Sequence, residues 1–311
     1  MSESRKVVYA ALAGNVAIAV TKFVVAGVTG SSAMLSEGIH STVDTGNSLL
    51  LLVGVRGSQR QADQEHPFGY GKELYFSSLI VAILIFGFGG GISAYEGVTH
   101  ILNPHPIENP GWTYIVLACS ALFEGISFSV ALRAALKEKG ERPFWSWLHH
   151  SKDPGTFTVL AEDSAALAGL ALAAIGIWCS QHFQMPAFDG LASVAIGILL
   201  AGVAVSLIYE SRGLLIGEGV SPQTAASIRQ MVAADDRVVR ASSPLSMYFG
   251  PDDVLLTLDV EFRADLPGTG IAQAVKHFEE EIRARYPKIK RIYIEAVPPA
   301  APAVPAAGRP K

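Results

Sequence analysis

The sequence predicts an α-helical membrane protein: six spanning helices over residues 1–212, then a small αββαβ domain over 213–297. Three observations carry that reading. Half of the 311 residues are apolar and only 17% are charged, and mean hydropathy is positive, which is too apolar for an ordinary water-soluble domain. Six stretches reach the roughly 20 residues that a spanning helix needs. After residue 208 the composition turns to mixed charged and apolar residues, the pattern of a domain that faces water.

The apolar stretches cover residues 7–28, 32–55, 76–95, 112–132, 157–179 and 188–208. The first is read as a retained helix, because the residues before it are too few for a signal-peptide n-region with a cleavage site, and Asn15 and Lys22 interrupt the apolar run. Connections after the first, third and fifth stretches hold no Lys or Arg. Those after the second and fourth hold Arg56, Arg60 and Lys72, then Arg133, Lys137, Lys139, Arg142 and Lys152. That bias puts both termini on the cytoplasmic side, and the expected setting is a bacterial inner membrane. Lys22 lies within a span, where its stem either snorkels outward or meets an acid. Gly89, Gly90 and Gly91 in the third stretch are read as a close-packing site. Trp145, Trp147, His149 and His150 read as an interfacial segment before the fifth span, and Asp189 as a residue at the water interface near a helix N-terminus.

In the second domain, Ser221 and Pro222 mark a helix N-terminus, with that helix running to about residue 234. A strand over 238–246, a β-rich run over 254–262, an amphipathic helix over 271–286 and a strand over 289–297 follow. Residues 298–311, a Pro/Ala run, are expected to be a disordered tail. Cys119 and Cys179 lie inside apolar stretches and form neither a disulfide framework nor a thiolate zinc site. The net charge of -4 and the absence of a basic stripe exclude nucleic acid as a partner.

Ionisable residues inside the spans are the functional candidates, since charge at membrane depth normally marks an ion or substrate path. In the second span, Glu37, His40 and Asp44 stand at i, i+3 and i+7 and share one face of a helix. His40 and Asp44, one turn apart, form a two-toothed metal clamp. The plainer alternative is that they bond each other and pin neighbouring helices. In the fifth span, Asp163 lies about 9 Å from the residue-157 end. Asp44 and His40 lie about 16 and 22 Å from the residue-55 end of theirs, so the two sets reach similar depth. Glu162 and Asp163 point roughly 100° apart around the helix; Asp163 is read as a ligand and Glu162 as a fourth ligand or proton acceptor. One imidazole with two or three carboxylates suits a tetrahedral Zn²⁺. Glu124, on the helix of Ser120 and Ser127, either relays protons, as Glu37 also could, or joins the site, or is an acid kept protonated or paired with Lys22 for packing.

The set Asn15, Lys22, Gly30-Ser31, Glu37-x-x-His40-x-x-x-Asp44 and His66-Pro-Phe-Gly-Tyr-Gly-Lys72 resembles the cation diffusion facilitator family of metal exporters, over nearly the whole chain. The resemblance implies six membrane helices, a cytoplasmic ferredoxin-like domain, a homodimer, and efflux of a divalent metal in exchange for protons, with no prosthetic group. It places His40, Asp44 and Asp163 at the metal. The family's helix-five histidine falls on Val159, so this chain resembles a divergent branch, and a carboxylate in place of an imidazole moves the site toward harder cations such as Mn²⁺ or Fe²⁺. Of an accessory loop site only Asp63 and His66 remain, with Tyr70 where a later histidine is expected. The last strand reads Tyr293-Ile-Glu295, leaving His277 as that domain's lone imidazole.

The expected function is proton-coupled export of a divalent transition metal from the cytoplasm, Zn²⁺ first and Mn²⁺ or Fe²⁺ next. Two alternatives stay open: an intramembrane hydrolase, which lacks a water-activating motif such as H-E-x-x-H, and a metal-free scaffold or receptor.

Overall fold

The protein is described by a computed structural model over residues 3–107, 110–139 and 154–298. The expectations for His149, His150 and the Pro/Ala tail beyond 298 lie outside those residues. The chain divides into two compact units, Met1–Ile216 and Gly217–Lys311.

The first unit contains six long helices among the described residues: α1 (Glu3–Thr29), α2 (Ser32–Ser58), α3 (Glu73–Leu102), α4 (Pro110–Lys139), α5 (Pro154–His182) and α6 (Ala187–Ile216). Most run past the apolar stretch that foretold them. Glu73–Leu102, Pro110–Lys137, Phe157–His182 and Ala187–Ile216 are long and apolar enough to cross a membrane, and a shorter apolar helix covers Asn15–Thr29. α2 is 27 residues long, but its polar run keeps it less hydropathic than those four. Its Ala33, Met34 and Leu51 belong to one buried apolar cluster with Val81, Ala82 and Ile85 of α3, Ala173 and Ile177 of α5, and Ile196, Leu200 and Leu207 of α6. Large apolar side chains such as Val24, Phe88, Leu122, Ile175 and Ile198 stay exposed on the outer faces. An outer surface of that kind suits a hydrocarbon solvent.

Two local devices set the helix positions. Gly30, at φ +68°, ends α1 in the left-handed conformation that favours glycine, and its N–H donates to Ala26 O at 2.8 Å. Ser31 then caps α2, its Oγ accepting from Met34 N at 3.2 Å. The middle of α3, Ile85–Ile92, is a π-helix and contains the expected glycine cluster. Gly89 and Gly90 of that cluster face α6 closely, whereas Gly91 meets only Phe86 of its own helix. A β-carbon on Gly90 would lie 3.1 Å from Gly197 O, and one on Gly97 would lie 2.6 Å from Gly190 O and Val194 N. The backbones of α3 and α6 therefore touch through glycines on both sides.

The second unit has helix α7 (Pro222–Ala233), strands β1 (Val238–Ala241), β2 (Leu245–Gly250) and β3 (Asp253–Phe262), helix α8 (Gly268–Arg285) and strand β4 (Ile289–Ala296). The order is αβββαβ, which corrects the expected αββαβ: the single strand expected over 238–246 is broken between Ala241 and Leu245. Pro244 has no N–H to give to a ladder, and Ser242 Oγ instead accepts from Asp259 N at 3.1 Å. Both pieces pair antiparallel with β3, β1 against its Val260–Phe262 end and β2 against its Asp253–Thr257 end. β4 pairs parallel with β3, so the sheet is mixed. Alternate β3 residues Val254, Leu256, Leu258 and Val260 are buried against Ile228 and Val232 of α7 and Phe278 and Ile282 of α8, the period-2 pattern of a sheet with one covered face.

The glycine contact yields a direct test. Gly97→Leu drives a side chain into the α6 backbone, so overpacking of at least about 1–3 kcal/mol is expected. Thermal stability in detergent should fall clearly, whereas Gly27→Leu, which meets nothing within 4 Å, should leave it nearly unchanged.

Candidate functional site

The polar face of α2 is read most clearly from its N-terminal end. Asp189 of α6 is fully buried. Its carboxylate accepts from Ser31 Oγ at 2.7 Å, Ser32 N at 2.6 Å and Ala33 N at 3.4 Å. This corrects the placement at the water interface: the residue lies near the start of its own helix, but the N–H groups it satisfies belong to α2. Ser193, one turn further along α6, bonds to Ser36 and donates to Ser93 O of α3 at 2.8 Å.

Next along α2 is Glu37, whose Oε2 lies 3.0 Å from Lys22 Nζ, with both side chains wholly buried. The same ammonium donates to Ser41 Oγ at 2.8 Å. Lys22 has thus met an acid rather than snorkelled outward, and that acid is Glu37, not Glu124. His40 follows, 2% exposed, with Nε2 3.3 Å from Asp44 Oδ2. Neither ring nitrogen has a hydrogen-bond partner among the described residues, and Asp44 Oδ1 is equally unpaired. A buried polar group left unpaired costs roughly 1–3 kcal/mol, so several on one helix face call for a ligand.

α5 approaches this face with its two acids pointing apart, as the helical angle requires. Glu162 is buried and its Oε1 accepts from Asn47 Nδ2 of α2 at 2.7 Å. Asp163 is half-buried and its Oδ2 accepts from Ser127 Oγ of α4 at 2.9 Å. Glu124, half-buried on α4, is within electrostatic reach of Asp44, Glu162 and Asp163. Of the expected ligands, then, His40 and Asp44 stand together, Glu162 touches α2 through Asn47, and Asp163 touches α4. Among the described residues no three His, Cys, Asp or Glu side chains are close enough to hold a metal as they lie. Sequence reasoning passed over Asn47, although a signal existed: it stands seven residues from His40 and three from Asp44, on the same face of α2. Val159, one turn before Asp163, is partly exposed.

In the loop between α2 and α3, Asp63 Oδ2 accepts from Tyr70 OH at 2.6 Å, and Oδ1 accepts from His66 N at 2.7 Å and Glu65 N at 3.1 Å. Both carboxylate oxygens are thus engaged in holding the turn. His66 stacks on Tyr70, centroids 4.2 Å apart, and Arg60 covers the other ring contact at 4.0 Å. The bonds from Tyr70 and the His66 amide hold the Asp63 carboxyl below the usual carboxylate range. In the second unit, His277 is exposed, 3.9 Å from Glu281.

The Cation efflux transmembrane domain family model matches residues 8–216. The mitochondrial proton-coupled zinc antiporter SLC30A9 of Homo sapiens is 35% identical over 260 residues, 83% of this chain and 46% of that protein. Its counterpart in Xenopus laevis is 35% identical over 236 residues, 75% of this chain and 42% of that protein. This chain therefore spans less than half the length of those relatives. The manganese efflux system protein MneP of Bacillus subtilis is 26% identical over 305 residues, 95% of this chain and 96% of its own length.

Two outcomes test these contacts. Lys22→Met leaves Glu37 buried without its cation and should destabilise by roughly 3–5 kcal/mol, while Lys22→Met with Glu37→Met should recover most of that loss in thermal unfolding. Asp63 has a folded pKa below its unfolded one, so its contribution to loop order is complete above the ordinary carboxylate range and is lost as pH falls through the lowered value. Protection of the Glu65 and His66 amides against hydrogen exchange, relative to their intrinsic rates, should fall in acid, and Asp63→Asn should remove that pH dependence.

Proposed function

The chain belongs to the cation efflux family of transporters, the cation diffusion facilitators, and from that premise we propose that it exports a divalent transition metal from the cytoplasm in exchange for protons. The family is one of transporters rather than enzymes, so the hydrolase alternative falls. Zn²⁺ is the first cargo in this reading, with Mn²⁺ or Fe²⁺ next; the names of the relatives, a zinc antiporter and a manganese efflux protein, span the same choice. The observation that carries the proposal is His40. An imidazole 2% exposed within the helical unit, with neither nitrogen hydrogen-bonded, Nε2 3.3 Å from Asp44 Oδ2 and the other Asp44 oxygen without a partner among the described residues, is poised for a cation.

In this reading six helices span the membrane, both termini face the cytoplasm, the second unit is the ferredoxin-like domain, and two chains associate. The ion is held by His40 and Asp44 from α2 and by Glu162 and Asp163 from α5. Asp163 turns from Ser127 toward the ion as α5 adjusts on loading. Imidazole nitrogen and carboxylate oxygen bind the metal through the lone pairs that take a proton, so metal and protons compete for one set of atoms. Exchange follows from that competition. Glu124, close in charge to both acidic sets, serves as the relay, while Glu37 is engaged by Lys22. The carboxylate-rich α5 side, with valine at 159, tolerates the harder cations better than a second imidazole would.

Transport into proteoliposomes across Zn²⁺, Mn²⁺ and Fe²⁺ is the test. His40→Ala and Asp44→Ala should each reduce transport to the level of empty vesicles while eluting as the wild type does on size exclusion. Wild-type transport by either variant would remove the proposed site.

A further inference from the structure

We propose that Asn47 is a specificity-determining residue of the translocation site: its amide nitrogen ties Glu162 to α2, and its carbonyl oxygen is an additional ligand for the transported divalent cation. The inference rests on the reading of His40 and Asp44 as ligands.

Asn47 is completely buried, and its Nδ2 donates to Glu162 Oε1 at 2.7 Å. The side-chain amide is placed with its nitrogen toward Glu162 and its oxygen away, the orientation that an ionised Glu162 requires. That oxygen, Oδ1, is buried and has no partner among the described residues. It lies on the face of α2 that presents the unpaired His40 nitrogens and the unpaired Asp44 oxygen. An asparagine kept only to join two helices gains nothing from burying a bare carbonyl, which costs about as much as the bond to Glu162 returns. A cation at this face resolves the imbalance. It gives Oδ1 a positive partner, and it uses the second oxygen of a Glu162 already fixed by the first.

The consequence is selectivity. An amide oxygen is a hard, neutral donor, so it raises the oxygen count of the site without adding charge. Cations that accept six oxygen-rich ligands gain more from it than does Zn²⁺, which is content with four. The bond to Glu162 pre-sets a donor from α5, so loss of Asn47 removes one oxygen and loosens a second.

The experiment is Zn²⁺ uptake by the full chain in proteoliposomes, with Mn²⁺ as competitor, for the wild type, Asn47→Ala and Asn47→Asp. The reported quantity is the ratio of the Mn²⁺ inhibition constant to the Zn²⁺ KM. Asn47→Ala should raise that ratio by about five-fold or more, whereas Asn47→Asp, which keeps an oxygen at the position, should hold it at or below the wild-type value. Should Asn47→Ala fail to fold, Asn47→Leu, of similar size and without an oxygen, is read by the same ratio. An unchanged ratio in the alanine or leucine variant, or equal weakening of both metals, overturns the inference, as does Mn²⁺ that fails to compete in the wild type. His40→Ala is run alongside. Loss of transport there with an unchanged Asn47→Ala ratio defeats this inference alone, whereas normal transport by His40→Ala defeats the site reading as well.

Discussion

Helix α2 holds polar side chains where water does not reach, and each of them must find a partner or remain costly. Its neighbours supply most of the partners. Lys22 of α1 takes Glu37 and Ser41, Asp189 of α6 takes the N-terminal amides, Ser193 of α6 takes Ser36, and Glu162 of α5 takes Asn47. Together these contacts set the depth and rotation of α2 against three helices, α1, α5 and α6. Apolar packing alone would not fix either, because one ridge of alanine and leucine slides readily onto the next, whereas a buried hydrogen bond lost in an apolar interior has no water to replace it.

Two kinds of interface result. Between α3 and α6 the backbones touch at Gly90, Gly97, Gly190 and Gly197, a fit that tolerates little sliding or rotation. Between α2 and α5, among the described residues, Asn47 bonds to Glu162 near the His40–Asp44 pair, and Glu37 lies close against Gly169. In the export cycle proposed above, an ion held by donors from α2 and α5 draws those two helices together, while the glycine-packed α3–α6 pair stays fixed.

The helices, and the gathering of Glu37, His40 and Asp44 on one buried face of α2, were legible in the sequence because their signals are strong and local. Long apolar runs define spans whatever their neighbours do, and Glu37, His40 and Asp44 stand out because charge is rare at such depth. What escaped was decided by partners distant in the chain. Asp189 reads as an interfacial acid until the helix end it caps, 157 residues earlier, is placed beside it. Asn47, uncharged, passed unnoticed among larger signals, though its helical spacing from His40 was visible. The break at Ser242–Pro244 was misjudged because a strand and its continuation share one β-rich composition, and only the missing proline donor separates them. That Glu162 and Asp163 point apart followed from helix geometry; which helix each would meet did not.

Lys22 decides how this arrangement treats cations. A buried ammonium among Glu37, Asp44, Glu124, Glu162 and Asp163 would compete with any incoming metal if it were loose, since it carries its charge without needing to be bound. It is not loose: Glu37, one turn before His40, and Ser41, just after it, hold it at 3.0 and 2.8 Å. Its charge pairs directly with Glu37 and also reaches Asp44 and Glu124. Asp44 and Glu162 have neutral side chains, His40 and Asn47, as their direct partners. The permanent cation thus ties α1 to α2, and in the proposed export cycle the acids of α5 are the groups left for an incoming metal.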